Sequence, residues 1–218
     1  MNDGLIFAVA VPLLIGLLYF AKRESRRGQF LTKPLLSALF VLTAVVAHHR
    51  QDGYSTLVLA GLLLCMAGDI FLIFFDSRKL FLAGLLAFLS GHVLYAIAFF
   101  SVSSPGGVAW TGAALSIAAG CGIFIWLRPF LGKMLVPVAA YVAVFTTMVI
   151  GASSVMGDAR FSVSGRLLVF YGALLFFVSD IFVARHRFIR KEYRNRFLGL
   201  PLYYAGQFMI ALSVRVIG

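Results

Sequence analysis

The stretch LVLAGLLLCMAGDIFLIFF, residues 57–75, decides the fold, because it is long and apolar enough to cross a lipid bilayer as a helix. Asp69 is its one charged residue. Helix is expected because a segment in lipid must satisfy its own backbone hydrogen bonds. Apolar runs of this kind recur along the chain, and the predicted spans are 4–21, 31–47, 54–75, 80–100, 108–127, 134–156, 167–184 and 197–217.

The composition agrees with this pattern. Of 218 residues, 61% are hydrophobic and 12% charged, whereas soluble domains are about 25% charged. We therefore expect an all-α integral membrane protein with eight transmembrane helices and one domain, residues 1–218. The N-terminus lacks the basic segment of a cleavable signal peptide, so the first span should be retained. We also expect a monomer.

The basic loops predict the orientation. Fourteen of the 19 Lys and Arg residues lie in the loops after spans 1, 3, 5 and 7. Positively charged loops stay in the cytoplasm, so both termini should face the other side, in the cytoplasmic (inner) membrane if the protein is bacterial. The net charge of +11 is spread over these short loops. That placement indicates contact with membrane lipids and no nucleic acid partner.

The chain also repeats itself in three places. QFLTKPLL (29–36) resembles PFLGKMLV (129–136), GDIF (68–71) resembles SDIF (179–182), and GLLAFLSGH (84–92) resembles GLPLYYAGQ (199–207). The matches come in the same order, which predicts two four-helix repeats, residues 1–107 and 108–218. Four spans are an even number, so the repeats would be parallel, related by a pseudo-two-fold axis along the membrane normal. Asp69 and Asp180 would then lie at equal depth on opposite sides of the axis.

A carboxyl group inside a span costs about 2.5–3.5 kcal/mol or more, so the two aspartates are candidate functional residues. The simpler alternative is that Asp69 links helices by hydrogen bonds or pairs with Lys33. Two carboxyls in one apolar cavity cannot both ionise, so one would stay protonated as an acid beside a charged partner. Such a pair suits proton-driven transport, or hydrolysis of an acid-labile bond in a lipid.

Other polar residues are predicted in the cytoplasmic half of the spans, which favours a cavity opening to the cytoplasm. Lys33 lies at the mouth of span 2, where it either contacts substrate or reaches lipid phosphates. His92 with Tyr95, and Tyr203 with Gln207, share helix faces, and each either contacts substrate or bonds between helices. The remaining histidines are expected in solvent, and their spacing indicates no metal site: His48, His49 and His186. A ridge of small residues on span 5 is expected to serve helix packing: Gly112, Ser116 and Gly120.

Several of these motifs together resemble the YhhN-like family, the family of the lysoplasmalogenases. They are KPLL at Lys33, GDIFL at Asp69, GLLAFLSGHVLY, PVAAYVAVFTTM with Tyr141, GALLFFVSDIFVARHRF, and YYAGQ at 203–207. The resemblance covers nearly the whole chain. Cys65 departs from the pattern, where a small hydroxyl residue is expected.

The resemblance implies a membrane enzyme without metal or organic cofactor. It would hydrolyse the vinyl ether bond of a lysoplasmalogen to a fatty aldehyde and glycerophosphoethanolamine or glycerophosphocholine. Asp69 and Asp180 would be catalytic, with substrate-binding roles for Lys33, His92, Tyr95, Tyr141, Tyr203 and Gln207. The chemistry agrees, because acid cleaves a vinyl ether by protonating its β-carbon. The alternative is a proton-coupled lipid or small-molecule transporter. An intramembrane aspartyl protease is less favoured, because its Gly-Leu-Gly-Asp motif is absent.

Overall fold

The computed structural model describes residues 3–47 and 52–217, and these residues form helices joined by short connections. The helices are α1 (Asp3–Lys22), α2 (Arg26–Ala47), α3 (Gly53–Phe71), α4 (Arg78–Val102), α5 (Gly107–Leu131), α6 (Leu135–Gly157), α7 (Val163–Ala184) and α8 (Tyr193–Ile217). A 3₁₀ turn, Leu72–Phe74, follows α3, and a π-helical turn, Arg185–Ile189, follows α7.

Six of the eight predicted spans fall within these helices, whereas 54–75 runs four residues past the end of α3 and 134–156 begins one residue ahead of α6. Several helices are also longer at their basic ends. α2 begins at Arg26 and α8 at Tyr193, each ahead of its apolar run. Hydropathy marks only the part of a helix that suits lipid, whereas backbone hydrogen bonding continues through the adjoining charged turns. Capping side chains define where some helices begin. Ahead of α3, the Asp52 carboxylate accepts a hydrogen bond from the Ser55 amide at 2.7 Å.

Helices α5 and α6 form one continuous apolar run that turns back on itself. Seven helical segments of the described chain are long and apolar enough to cross a membrane, and one of them, 107–157, contains both helices in 51 residues. Gly132 separates the two helices with φ of +47°. This left-handed backbone conformation favours glycine, and it ends α5. The structure is thus all-helical over the described residues, as expected for an integral membrane protein.

Three closely packed helix pairs hold the bundle together, and glycines allow the backbones to approach in two of these pairs. α3 packs on α4, α5 on α6, and α7 on α8. A Cβ atom added to Gly91 would lie 3.1 Å from the Gly61 carbonyl oxygen, and one on Gly206 would lie 2.8 Å from that of Gly172. Without side chains at these points, the backbones of α3 and α4, and of α7 and α8, can approach each other.

The helix neighbours follow the pattern that two repeats would produce. α2 packs on α8, and its counterpart α6 packs on α4. The glycine contacts also correspond, since Gly91 and Gly206 occupy the same place in the matched segments GLLAFLSGH and GLPLYYAGQ. The duplication itself stays a prediction. If the prediction holds, α3 and α7, which carry the two aspartates, pack against corresponding helices of the two repeats.

Candidate active site

A cavity enclosing about 1290 Å³ of empty space, its open mouth included, lies among the helices. Both predicted aspartates line it, Asp69 from α3 and Asp180 from α7. At the end of the cavity near the loops that follow α3 and α7, Phe75, Arg187 and Asn195 contribute to the wall. Most of the remaining wall is aliphatic and aromatic, so the cavity suits an apolar chain with one polar end.

Asp69 is held by groups from two helices, and both of its oxygens are occupied. Lys33 Nζ lies 2.9 Å from Oδ1. Oδ2 accepts hydrogen bonds from Ser37 Oγ at 2.6 Å and from the Tyr203 hydroxyl at 2.7 Å. Its side chain is only 2% exposed. With one cation and two hydroxyl donors, the buried carboxyl group of Asp69 has all of its hydrogen-bonding capacity satisfied.

Asp180 has fewer partners and is more open to the cavity. Oδ2 accepts a hydrogen bond from the Tyr141 hydroxyl at 3.0 Å, and His92 Nε2 lies 3.4 Å from the same oxygen. No group in the described part of the chain donates to Oδ1, and the side chain is 14% exposed. One oxygen of Asp180 is therefore available to a molecule in the cavity.

The orientation of His92 determines what its ring can do. Nδ1 lies 2.6 Å from the Phe88 carbonyl oxygen, which can only accept, so Nδ1 carries a hydrogen. In a neutral ring, Nε2 is then an acceptor facing the carboxyl group of Asp180. Contact between that acceptor and an ionised carboxylate would be repulsive. A hydrogen bond between Nε2 and Oδ2 therefore requires a hydrogen on one of these two atoms.

The two carboxyl sites use corresponding helices but different side chains. Asp69 is contacted from α2 and α8, and Asp180 from their counterparts α6 and α4. In the matched segments, Tyr203 occupies the place of Phe88, and Gln207 the place of His92. The scaffold thus places a cation beside one aspartate and an imidazole beside the other.

Comparison with known proteins agrees with these motifs. The profile of the YhhN family matches residues 28–214. The chain belongs to the YhhN family. Similar curated proteins are lysoplasmalogenase TMEM86A of Bos taurus, 36% identical over 80% of this chain and 72% of its own, and lysoplasmalogenase TMEM86B of Sus scrofa, 33% identical over 83% and 72%. A lysoplasmalogenase homolog of Dictyostelium discoideum is 26% identical over 96% of this chain and 85% of its own. No solved structure matches.

Family membership and the apolar helices together identify a multi-pass integral membrane protein. Several residues expected near the substrate line the cavity of this YhhN protein: Lys33, Tyr141 and Tyr203. His92 contacts Asp180 from behind the cavity wall. Tyr95 and Gln207 lie further back and bond each other, the tyrosine hydroxyl donating to Oε1 at 2.8 Å. Their substrate-binding roles stay predictions, and so does that of Lys33, whose ammonium group lies on Asp69 rather than at the open mouth.

The structure also tests the prediction that the remaining histidines of this YhhN protein lie in solvent. The expectation that His186 lies in solvent is wrong: it is 7% exposed and its ring packs 5.5 Å from that of Phe75. The π-helical turn keeps the chain in the bundle beyond α7, which sequence hydropathy does not reveal. His48 and His49 lie outside the described residues. Cys65 is fully buried and is absent from the cavity wall.

Sequence reasoning missed several groups that the YhhN fold brings to the site. Ser37 contacts Asp69, and its signal was available, because it follows Lys33 by one helical turn on the same face. Arg187 and Arg196 line the cavity, whereas the sequence places them only in a basic loop. The described residues contain no cluster of three or more acidic, His or Cys side chains that could hold a metal ion.

Proposed function

We propose that this protein hydrolyses the vinyl ether bond of single-chain alkenyl glycerophospholipids, releasing a fatty aldehyde and glycerophosphoethanolamine or glycerophosphocholine. Its YhhN relatives are named lysoplasmalogenases, and they cover most of the chain. The observation that carries the proposal is the difference between the two carboxyl groups. Asp69 has both oxygens occupied beside Lys33, whereas Asp180 has a free oxygen and lies 3.4 Å from His92 Nε2.

In the proposed reaction, the carboxyl group of Asp180 delivers its proton to the β-carbon of the vinyl ether. The electron pair of the double bond forms the new C–H bond, and the ether oxygen shares the resulting positive charge as an oxocarbenium ion. His92 supports the proton on this pair before transfer. The buried negative charge of Asp69 lies in the same cavity and favours the cation electrostatically.

Water then completes the hydrolysis. Its oxygen adds to the cationic carbon, and the Asp180 carboxylate accepts the released proton, which restores the starting state. The hemiacetal collapses as its hydroxyl proton leaves and the bond to the glycerol oxygen breaks, with that oxygen taking a proton. The products are the aldehyde and a glycerophospho compound with a free hydroxyl group. Charge, atoms and protons balance without a redox step.

The membrane arrangement forms part of the proposal. We infer eight crossings, with α5 and α6 separate because the chain reverses at Gly132. Both termini would lie outside, so that the cavity mouth, near the basic loops, opens to the cytoplasmic half of the membrane. The parallel duplication supports equal depth for Asp69 and Asp180. The alternative of a proton-coupled transporter would use the same carboxyl groups, but the relatives named above carry an enzyme's name.

Purified protein in detergent provides the test, because an enzyme needs no sealed compartment. We expect free aldehyde from an alkenyl lysophospholipid and none from the acyl analogue. In D₂O, the aldehyde should carry one deuterium on the carbon next to its carbonyl, because the enzyme protonates that carbon. Asp180→Asn should lower turnover by about 10²–10⁴-fold, whereas Glu24→Gln, at a side chain that is 72% exposed, should not change it.

No turnover of any vinyl ether lipid by folded protein would refute the hydrolase. If proton-dependent lipid uptake into vesicles accompanied that result, the transporter would replace it. Near-normal turnover by Asp180→Asn would instead refute the proton-donor assignment while leaving the activity in place.

A further inference from the structure

A buried polar cluster lies behind the two carboxyl groups, outside the cavity wall. It consists of Cys65 from α3, Tyr95 from α4 and Gln207 from α8, and all three side chains are fully buried. The Tyr95 hydroxyl donates to Gln207 Oε1 at 2.8 Å, and the Cys65 thiol lies beside both of these side chains. None of the three residues lines the cavity. The cluster therefore joins three helices from a position behind the site.

Each member of this cluster lies one helical turn from a residue of the two carboxyl sites. The pairs, three or four residues apart, are Cys65 with Asp69, Tyr95 with His92, and Gln207 with Tyr203. Residues at this spacing share a helix face and are about 4.5–6 Å apart along the axis. A shift or rotation of α3, α4 or α8 at the cluster would thus displace the neighbouring site residue by a similar amount.

The hydrogen bond between Tyr95 and Gln207 connects the two carboxyl sites, because it joins α4 to α8. α8 carries the tyrosine that donates to Asp69, and α4 carries the histidine beside Asp180. Packed apolar side chains tolerate small sliding motions, whereas a hydrogen bond restricts both the distance and the direction between two atoms. This bond therefore holds the two sites at a defined depth relative to each other.

Glycines leave the space that the cluster occupies. A Cβ atom added to Gly61 would lie 2.5 Å from Cε1 of Tyr95, and one on Gly91 would lie 2.8 Å from the Cys65 sulfur. The tyrosine ring and the thiol therefore lie directly against the backbones of neighbouring helices. Such close contact limits the rotation of the Tyr95 ring, so the position of its hydroxyl group follows the positions of the helices.

Packing alone does not account for a glutamine in this place. Gln207 Nε2 has no hydrogen-bond partner among the described residues, and a buried amide group without a partner lowers stability. The Cys65 thiol beside it is only a weak acceptor. A methionine, which is flexible, apolar and of similar length, would fill the same space without this penalty. The hydrogen bond from Tyr95 is what the glutamine provides and a methionine would not.

We propose that Tyr95 and Gln207 are positioning residues, whose hydrogen bond sets the depth of α4 against α8 and thereby the placement of His92 and Asp180 relative to Asp69. This inference rests on the proposed function for the reaction whose rate it affects. Displacements of about 1 Å can slow a chemical step about 10²-fold, because the reacting atoms must be aligned. Binding of an apolar chain depends much less on such alignment, so the pair should affect kcat and leave KM nearly unchanged.

Two substitutions remove the hydrogen bond and keep most of the side-chain volume: Tyr95→Phe and Gln207→Met. We expect each to lower kcat for an alkenyl lysophospholipid about 10–100-fold and to leave KM within about twofold. The double variant should be little slower than either single variant, because both residues act through one bond. A KM raised tenfold or more with kcat unchanged would overturn the proposal and assign substrate contact to these residues instead.

Tyr54→Phe is the matched control. The Tyr54 hydroxyl forms a buried hydrogen bond of 2.6 Å with Ser213, which also joins α8 to a neighbouring helix. Tyr54 lies fifteen residues before Asp69, about 22 Å along α3. Both tyrosine variants should lower the unfolding midpoint by about 2–6 °C, but only Tyr95→Phe should lower kcat. Equal loss of kcat in the two variants would show that turnover follows stability, and would refute a positioning role.

The ring of His92 provides a measurement that does not depend on turnover. The chain has four histidines, so ¹⁵N-histidine labelling gives few signals, and His92→Gln identifies the signal of interest. The nitrogen chemical shift of Nε2 reports its contact with Asp180. Gln207→Met should change this shift, and Tyr54→Phe should not. An unchanged shift in Gln207→Met would contradict the proposal. If the shift changed but wild-type protein cleaved no vinyl ether, only the proposed hydrolysis would fail.

Discussion

Substituting each aspartate with asparagine should separate the two sites by their effect on stability. Asp69→Asn removes the negative charge facing Lys33, whose side chain is 10% exposed. It also places an amide NH₂ group among donors, because Ser37 and Tyr203 both donate to this carboxylate. Breaking a buried ion pair by removing one partner costs about 3–5 kcal/mol. For a chain of this length, the unfolding midpoint should fall by about 10 °C.

Asp180→Asn should behave differently, because asparagine imitates a protonated aspartate. Tyr141 and His92 both face Oδ2, so an NH₂ group in that place can donate one hydrogen to His92 Nε2 and the other to the Tyr141 hydroxyl, which can turn to accept it. Among the described residues, no lysine or arginine pairs with Asp180, so the substitution leaves no buried cation without a counter-ion. We expect a loss of about 1 kcal/mol or less and a shift of the midpoint within about 3 °C. Both variants should nevertheless lose nearly all turnover, and the double variant should lose little more.

Thermal unfolding in detergent, followed by circular dichroism at one scan rate, measures the contrast. Adding Lys33→Met to Asp69→Asn removes the unpaired cation and should restore more than half of the lost midpoint without restoring activity. Glu24→Gln, at a side chain that is 72% exposed, is the surface control. Equal midpoints for Asp69→Asn and Asp180→Asn, or no recovery in the double variant, would refute the assignment of a permanent charge to Asp69 and a mobile proton to Asp180.

Two further predictions concern the fold. Gly206→Ala should lower the free energy of unfolding by about 1–3 kcal/mol, because the new methyl group would press on the backbone of α7. The control is Gly122→Ala, where the added Cβ atom has no neighbour within 4 Å; it should be neutral or stabilising in the same denaturation assay. Reporter tags at both termini should be accessible from outside the cell, and a tag in the 185–196 loop should not; a cytoplasmic C-terminus would contradict the topology.

The sequence alone determined the helices and the identity of the two carboxyl groups. Long apolar runs leave the backbone no partner except itself, so helix formation follows from local composition. A charge within such a run is costly wherever it packs, which is why Asp69 and Asp180 stand out among their apolar neighbours in the sequence itself. Helix periodicity also relates Lys33 to Ser37, because this relation lies within one helix.

The tertiary structure decided which side chains face each other across helices. By sequence, Lys33 could contact substrate, reach lipid phosphates or pair with Asp69, and the packing of α2 on α3 places its ammonium group on Asp69. His186, expected in solvent, is buried because the chain continues in the bundle past α7. The contact of His92 with Asp180 joins residues 88 positions apart in sequence. Hydropathy and spacing report one helix at a time, whereas these contacts depend on the rotation and depth of several helices packed together.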